Sequence, residues 1–131
     1  MLILGEKMRG HTEADLEPFV PLSPAPLHIV LALNRGERHG YALMGDVEEL
    51  SGGIIKMGPG TLYGSIKKLL AQGLIEESPA RPDPTLDDQR RRYYRLTGLG
   101  QRVCQAEMER LTTLLERSRS GAATRLLGRQ A

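Results

Sequence analysis

Few side chains in this chain of 131 residues could do chemistry, and most of those are cations or hydroxyls. Three histidines (His11, His28, His39) and the single Cys104 are scattered, with no spacing that would join two of them on one metal. No nucleophile is set beside a base and a third, orienting group, so no convergent catalytic site is expected. The expectation is a protein that is not an enzyme, with no catalytic residue, no metal ligand and no cofactor. The polar chemistry gathers in two places. One is Thr61, Tyr63, Gly64, Ser65, Lys67 and Lys68, within residues 58–77 (GPGTLYGSIKKLLAQGLIEE); the other is the run Arg90, Arg91 and Arg92. Long cations and hydroxyls are the groups that meet phosphate oxygens and base edges. The competing reading is an ordinary solvated helix face and an arginine-rich edge that discourages sheet aggregation.

The element that must position the first group is a helix running into a strand. Pro59 suits a first helical position, where its missing N–H costs nothing. Leu62, Ile66 and Leu69 recur at helical period and form one apolar stripe. Gly73 stands where a C-terminal cap wants positive φ. On the opposite face of the same wheel lie Gly60, Thr61, Gly64, Lys67, Lys68 and Ala71, a surface that is small, polar and basic. Small residues allow close approach, and lysines favour a phosphate backbone. Tyr63 has a second reading as an aromatic at the edge of the core, near Leu70 on the wheel.

Charge is distributed unevenly. Residues 1–55 carry four Lys/Arg against eight Asp/Glu, residues 56–95 eight against five, and residues 96–131 six against three. The basic surface thus begins at the stretch just described, as expected of a nucleic-acid footprint or of any other acidic partner. Apolar content of 40% suits a single globular domain. No apolar run approaches a membrane span, and Met1–Leu4 is too short for a signal peptide, so no membrane association and a cytoplasmic location are expected. Met8 is an alternative start.

Along the chain, residues 1–22 read as an N-terminal arm, broken by Pro18 and Pro21 and packed on something else. Residues 23–34 (SPAPLHIVLALN) read as a nearly all-apolar, buried helix capped by Ser23, with His28 a partly buried, hydrogen-bonded histidine inside it. Arg35–Gly40 reads as a turn. Tyr41–Leu50 is a second helix with the stripe Leu43, Val47 and Leu50, ended by Gly52 and Gly53. With the helix from Pro59 this makes a helix-turn-helix. LIEES after Gly73 and RRYYRL at 91–96 read as two strands of a β-hairpin wing around a proline-rich loop at 79–90. Thr97 caps a long helix to about Arg119, and residues 120–131 read as a frayed tail. Cys104, Met108, Leu111 and Leu115 step by 4, 3 and 4. Together with Val103 and Leu114 they form an apolar face wider than one small domain covers, which predicts a dimer interface. Cys104 reads as a small buried hydrophobe. The fold class expected is mainly α with a small β-hairpin. A winged helix-turn-helix domain at 23–96 would be followed by a dimerisation helix at 97–119 and a flexible tail at 120–131.

The order of these pieces closely resembles the PadR family of bacterial winged helix-turn-helix transcriptional regulators, over about residues 20–118. The most specific matches are His39-Gly40-Tyr41, Pro59-Gly60-Thr61-Leu62-Tyr63, Gly73-Leu74-Ile75, and Tyr93-Tyr94-Arg95-Leu96-Thr97 followed by Gly100. The resemblance implies a homodimer whose C-terminal helices exchange contacts, often with help from an N-terminal arm, acting on double-stranded DNA at palindrome-like operators, usually as a repressor. Carried over by motif, Thr61, Tyr63, Gly64, Ser65, Lys67 and Lys68 would lie in or beside the major groove. Arg90, Arg91 and Arg92 would belong to the wing, and His39 and Tyr41 would lie near backbone phosphate. The chain departs from the family at Gly58, where many relatives have Ser or Thr, and at Glu37, where others have Pro. It has no Trp, which relatives with aromatic effectors place at the dimer interface; a small-molecule effector, if one exists, is unnamed by the sequence. The alternative function is a winged-helix protein-interaction module with no DNA role.

Overall fold

The computed structural model describes residues 13–79 and 92–130, with side chains over 15–79 and 92–121. The elements in chain order are α1 (Glu13–Leu16), α2 (Pro24–Leu33), β1 (Arg38–His39), α3 (Gly40–Leu50), α4 (Pro59–Ala71), β2 (Ile75–Glu77), β3 (Tyr93–Leu96) and α5 (Gly98–Gln130). The fold is mainly helical with a small antiparallel sheet, the winged-helix arrangement followed by a long C-terminal helix.

Local chemistry explains the boundaries. Ser23 is the extended N-cap of α2, though its side chain makes no capping bond, and prolines occupy the first turn. His28 lies within α2, its Nδ1 2.7 Å from the Pro24 carbonyl oxygen. Helix α3 stops as Gly52 and Gly53 turn to φ +66° and +83°. Their N–H groups bond the Glu49 and Glu48 carbonyls at 3.1 and 2.8 Å. The same paired closure ends α4: Gly73 at φ +74° donates to Leu70 O and Leu74 donates to Leu69 O, both at 3.0 Å. Such crossed bonds satisfy carbonyls a helix end would leave open. Between the two helices Ser51 Oγ donates to the Glu48 carbonyl at 3.1 Å and accepts the Ile55 N–H at 2.9 Å, which fixes the turn.

The stripe Leu62, Ile66 and Leu69 is buried as its period predicts. It meets Ile29, Val30 and Leu33 of α2, Leu43 and Val47 of α3, Leu74 and Ile75, Tyr94 and Leu96 of β3, and Val103 and Cys104 of α5 in one core. Leu50, expected in the α3 stripe, is 40% exposed. Thr97 caps α5 as expected: its hydroxyl donates to the Gly73 carbonyl at 2.6 Å and accepts the Gly100 N–H at 3.0 Å. Gly100 then lies against the chain leaving α4, since a Cβ there would sit 1.9 Å from the Leu74 carbonyl oxygen.

Four expectations are corrected. Residues 35–40 are not only a turn: Arg38–His39 pairs with Tyr94 and Tyr93 as an edge strand, giving the sheet order β1-β3-β2. Two residues are too short to show an alternating period. The second wing strand begins at Tyr93, not Arg91, and pairs Ile75 with Leu96 and Glu77 with Tyr94. Helix α5 continues past Arg119 to Gln130, carried by good helix formers such as Ala, Leu, Arg and Gln. Val103 and Cys104, expected at a dimer interface, are fully buried inside the chain's own core. The apolar face of α5 is therefore divided, its first two turns covered by α2 and β3 and Leu114 and Leu115 left outside.

The arm does pack on the body. Leu16, Phe19, Val20 and Leu22 are half-buried against the core, and the Leu22 N–H bonds Glu107 of α5 at 2.9 Å.

Candidate nucleic-acid interface

Helix α4 turns Leu62, Ile66 and Leu69 inward, so its period leaves Gly60, Thr61, Gly64, Lys67, Lys68 and Ala71 outside, and all six are exposed. Gly60 and Gly64 have nothing within 4 Å of where a Cβ would stand. Packing within the chain thus gives no reason for glycine at either position, although glycine in a helix interior costs about 0.5–1 kcal/mol relative to Ala. Neither Lys67 nor Lys68 has an ion-pair partner among the described residues. Ser65 is half-buried at the border of this face. The result is an uncluttered, cationic helix surface that a large polyanion can approach closely.

Tyr63 sits differently. It is half-buried and packs on the core, its hydroxyl oxygen is shielded from solvent, and its ring lies over Gly40. A Cβ at position 40 would be 2.9 Å from Tyr63 Cε1, so Gly40 makes room for this ring. The geometry gives Tyr63 a packing role where α4 meets the start of α3.

His39 is likewise occupied. Its Nδ1 accepts the Ala42 N–H at 3.2 Å as the N-cap of α3, and its ring meets Tyr93 edge-on at 5.3 Å between centroids. The next residue, Gly40, donates to the Arg92 carbonyl at 3.1 Å. The start of α3 and the base of the wing are therefore one bonded unit. Arg38 adds a two-pronged ion pair to Asp46 of α3 at 2.7 and 2.9 Å. Tyr41, next along, is 49% exposed.

On the wing, Arg92 lies 3.5 Å from Glu77 and Arg95 2.9 Å from Glu76. Glu37 accepts a hydrogen bond from the Ser78 hydroxyl. These exposed pairs stabilise little, so Arg92 can exchange its carboxylate for a phosphate. Arg90 and Arg91 lie outside the described residues. On α5, Met108 and Leu111 are half-buried, while Leu114 and Leu115 are 59% and 51% exposed. Burial pushes the Cys104 thiol up, with the Glu107 carboxylate a second, smaller cause, which disfavours the reactive thiolate.

Sequence reasoning missed Glu107. It is fully buried, and it accepts from Arg110 Nε at 2.7 Å and Nη2 at 3.2 Å as well as from the arm. Its position between Ala106 and Met108 gives a helical phase, but nothing in its type announces burial. Among the described residues no three metal-capable side chains gather, and no helix is long and apolar enough to cross a membrane.

Two helices joined by a fixed turn, a three-stranded wing and an exposed basic face define a winged helix-turn-helix protein with a long C-terminal helix. Residues 29–106 match the Transcriptional regulator PadR-like family, and the chain belongs to that family. It is similar in fold to a PadR family transcription regulator of Clostridium difficile R20291, with a TM-score of 0.60 and 18% identity over 76% of this chain and 99% of that one. It is also similar to PadR of Bacillus subtilis in complex with operator DNA, with a TM-score of 0.55 and 23% identity over 67% of this chain and 47% of that one. H. salinarum RosR gives a TM-score of 0.60 at 24% identity over 81% and 94%. In sequence, 90 residues are 31% identical to an uncharacterized 37.1 kDa protein in transposon TN4556 of Streptomyces fradiae. They are 69% of this chain and 24% of that protein, so the chain spans about a quarter of that relative's length.

Proposed function

We propose that this regulator is a homodimer that binds double-stranded DNA sequence-specifically at a palindrome-like operator, as a repressor, with α4 in the major groove. The observation that carries this reading is the exposed face of α4, where Gly60 and Gly64 are unexplained by the fold and Lys67 and Lys68 stand without partners among the described residues. A helix meant only for solvent gains nothing from two glycines. That PadR of Bacillus subtilis, similar to this chain in fold, is found in complex with operator DNA supports DNA as the partner.

In this arrangement Thr61 and Ser65, near the start of α4, face base edges, where recognition helices usually read sequence. Lys67, Lys68 and Arg92 meet phosphates. Tyr41 lies toward the backbone at the start of α3. His39 and Tyr63 act from behind, holding α3, the wing and α4 at fixed angles. The exposed Leu114 and Leu115 carry the interface between the two copies. A two-fold protein then presents two α4 helices to half-sites about 34–36 Å apart, or a multiple of that.

The test is Lys68→Ala, with affinity measured at several salt concentrations on operator and on random DNA. Loss of one phosphate contact should weaken both equally and lower the salt slope by about 1. An unchanged slope on both would leave the basic face merely solvated and the docking of α4 wrong.

A further inference from the structure

Glu107 is the one fully buried charged side chain among the described residues. Its carboxylate binds across 85 positions of sequence to the Leu22 N–H. Pro18, Pro21 and Pro24 carry no N–H, and the Phe19 and Val20 N–H groups are both spent on the Leu16 carbonyl. Beyond apolar packing, the Leu22–Glu107 bond therefore ties residues 16–22 to the body through a polar group. Arg110 completes the carboxylate's hydrogen bonding from the other side, and Glu107 holds the Arg110 guanidinium charged above its ordinary range.

Arg110 also faces an open groove of about 1010 Å³ between the arm and α5. Leu16 and Val20 form one wall, and Ala106 and Leu114 the other. Both signs of charge line it, Arg102 and Arg117 against Glu17 and Glu109. A mixed lining suits a second copy of the same surface, because a two-fold interface must complement itself. The groove is continuous with Leu114, one of the exposed leucines of α5.

We infer that Glu107 is a positioning residue for dimer assembly: it pins residues 16–22 along α5, so that the arm forms a wall of the groove that receives the second copy. The inference rests on the homodimer reading. Removing the charge releases the arm while α2, α3 and α4 keep their own core.

The experiment compares wild type, Glu107→Gln, Arg110→Met and the exposed control Glu116→Gln by amide hydrogen exchange and by sedimentation over a concentration series. Gln keeps the size of Glu but lacks the charge that satisfies both Leu22 and Arg110. In Glu107→Gln the Leu22 amide should exchange at least tenfold faster, the amides of Ile29–Leu33 should keep their protection, and the dimer Kd should rise tenfold or more. Arg110→Met, altered at a partly exposed side chain, should move the same readouts in the same direction by less, and Glu116→Gln should move neither. Equal loss of protection at Leu22 and in α2 would make Glu107 a core stabiliser only and overturn the inference. So would an unchanged dimer Kd in Glu107→Gln. A wild-type protein that sediments as a monomer would instead overturn the homodimer reading on which the inference stands.

Discussion

Gly64→Ala separates what the fold needs from what a bound partner needs. Position 64 lies inside α4, exposed, with open space where a Cβ would stand. Ala removes the conformational freedom of glycine from the unfolded chain, so the variant should be more stable by about 0.5–1 kcal/mol. For a chain of this size that raises Tm by roughly 2–5 °C. DNA should report the opposite. The added methyl projects about 1.5 Å from Cα. If phosphate or base edge lies in contact with that face, α4 must withdraw by about 1 Å, and charge-assisted bonds of about 2.7–2.9 Å are stretched out of range. Losing one such bond, at about 1.5–3 kcal/mol, weakens binding by roughly tenfold to a hundredfold. Thermal denaturation and fluorescence anisotropy on one preparation read both numbers. A raised Tm with unchanged DNA affinity would refute the contact. A lowered Tm would show that the fold itself requires glycine there.

Three further outcomes are expected. Gly100→Ala places a methyl against the Leu74 carbonyl, which also accepts the Thr97 N–H at 3.1 Å; overpacking plus loss of that bond should destabilise by about 2–4 kcal/mol, and a Tm within a degree of wild type would contradict this. Leu114→Asp with Leu115→Asp alters two side chains already more than half exposed, so the monomer should stay folded by circular dichroism while the dimer dissociates at micromolar concentration; a persisting dimer would place the interface elsewhere. Burial pushes the Cys104 thiol and the Tyr94 phenol up, so the folded state holds these protons more tightly than the unfolded one. Their contribution is full below the unfolded values of about 8.5 and 10 and is lost as pH rises through the folded values. Stability should therefore fall from about pH 8.5 upward, and Cys104→Ala should flatten the early part of that fall in denaturant titrations.

What could be read from the sequence was what local geometry dictates. The stripe Leu62, Ile66 and Leu69, the cap at Gly73 and the capping hydroxyl of Thr97 each follow from a few neighbouring residues, and each stands where its spacing placed it. The exposed face of α4 followed from the same period, because fixing the buried side of a helix fixes the other. Strand β1 was not legible, since Arg38 and His39 become a strand only when Tyr93 and Tyr94 arrive beside them from far along the chain.

The apolar face of α5 shows where a periodic pattern stops being informative. Val103, Cys104, Met108, Leu111 and Leu115 share one stripe in sequence, and nothing in that stripe says which partner covers which turn. The structure decides it through the end of α4. The crossed bonds at Gly73 deliver Leu74 to the glycine at position 100, and Thr97 bonds Gly73 from the first turn of α5. That junction docks the opening of the helix on α2 and the sheet, so Val103 and Cys104 enter the core. Each residue advances a helix by about 1.5 Å, so Leu114 and Leu115 lie about 15 Å farther along, outside the domain. One junction thus both orients the basic helix that follows the turn and directs the unpaired leucines away from it. In the dimer proposed here, the separation of the two α4 helices is set through this junction.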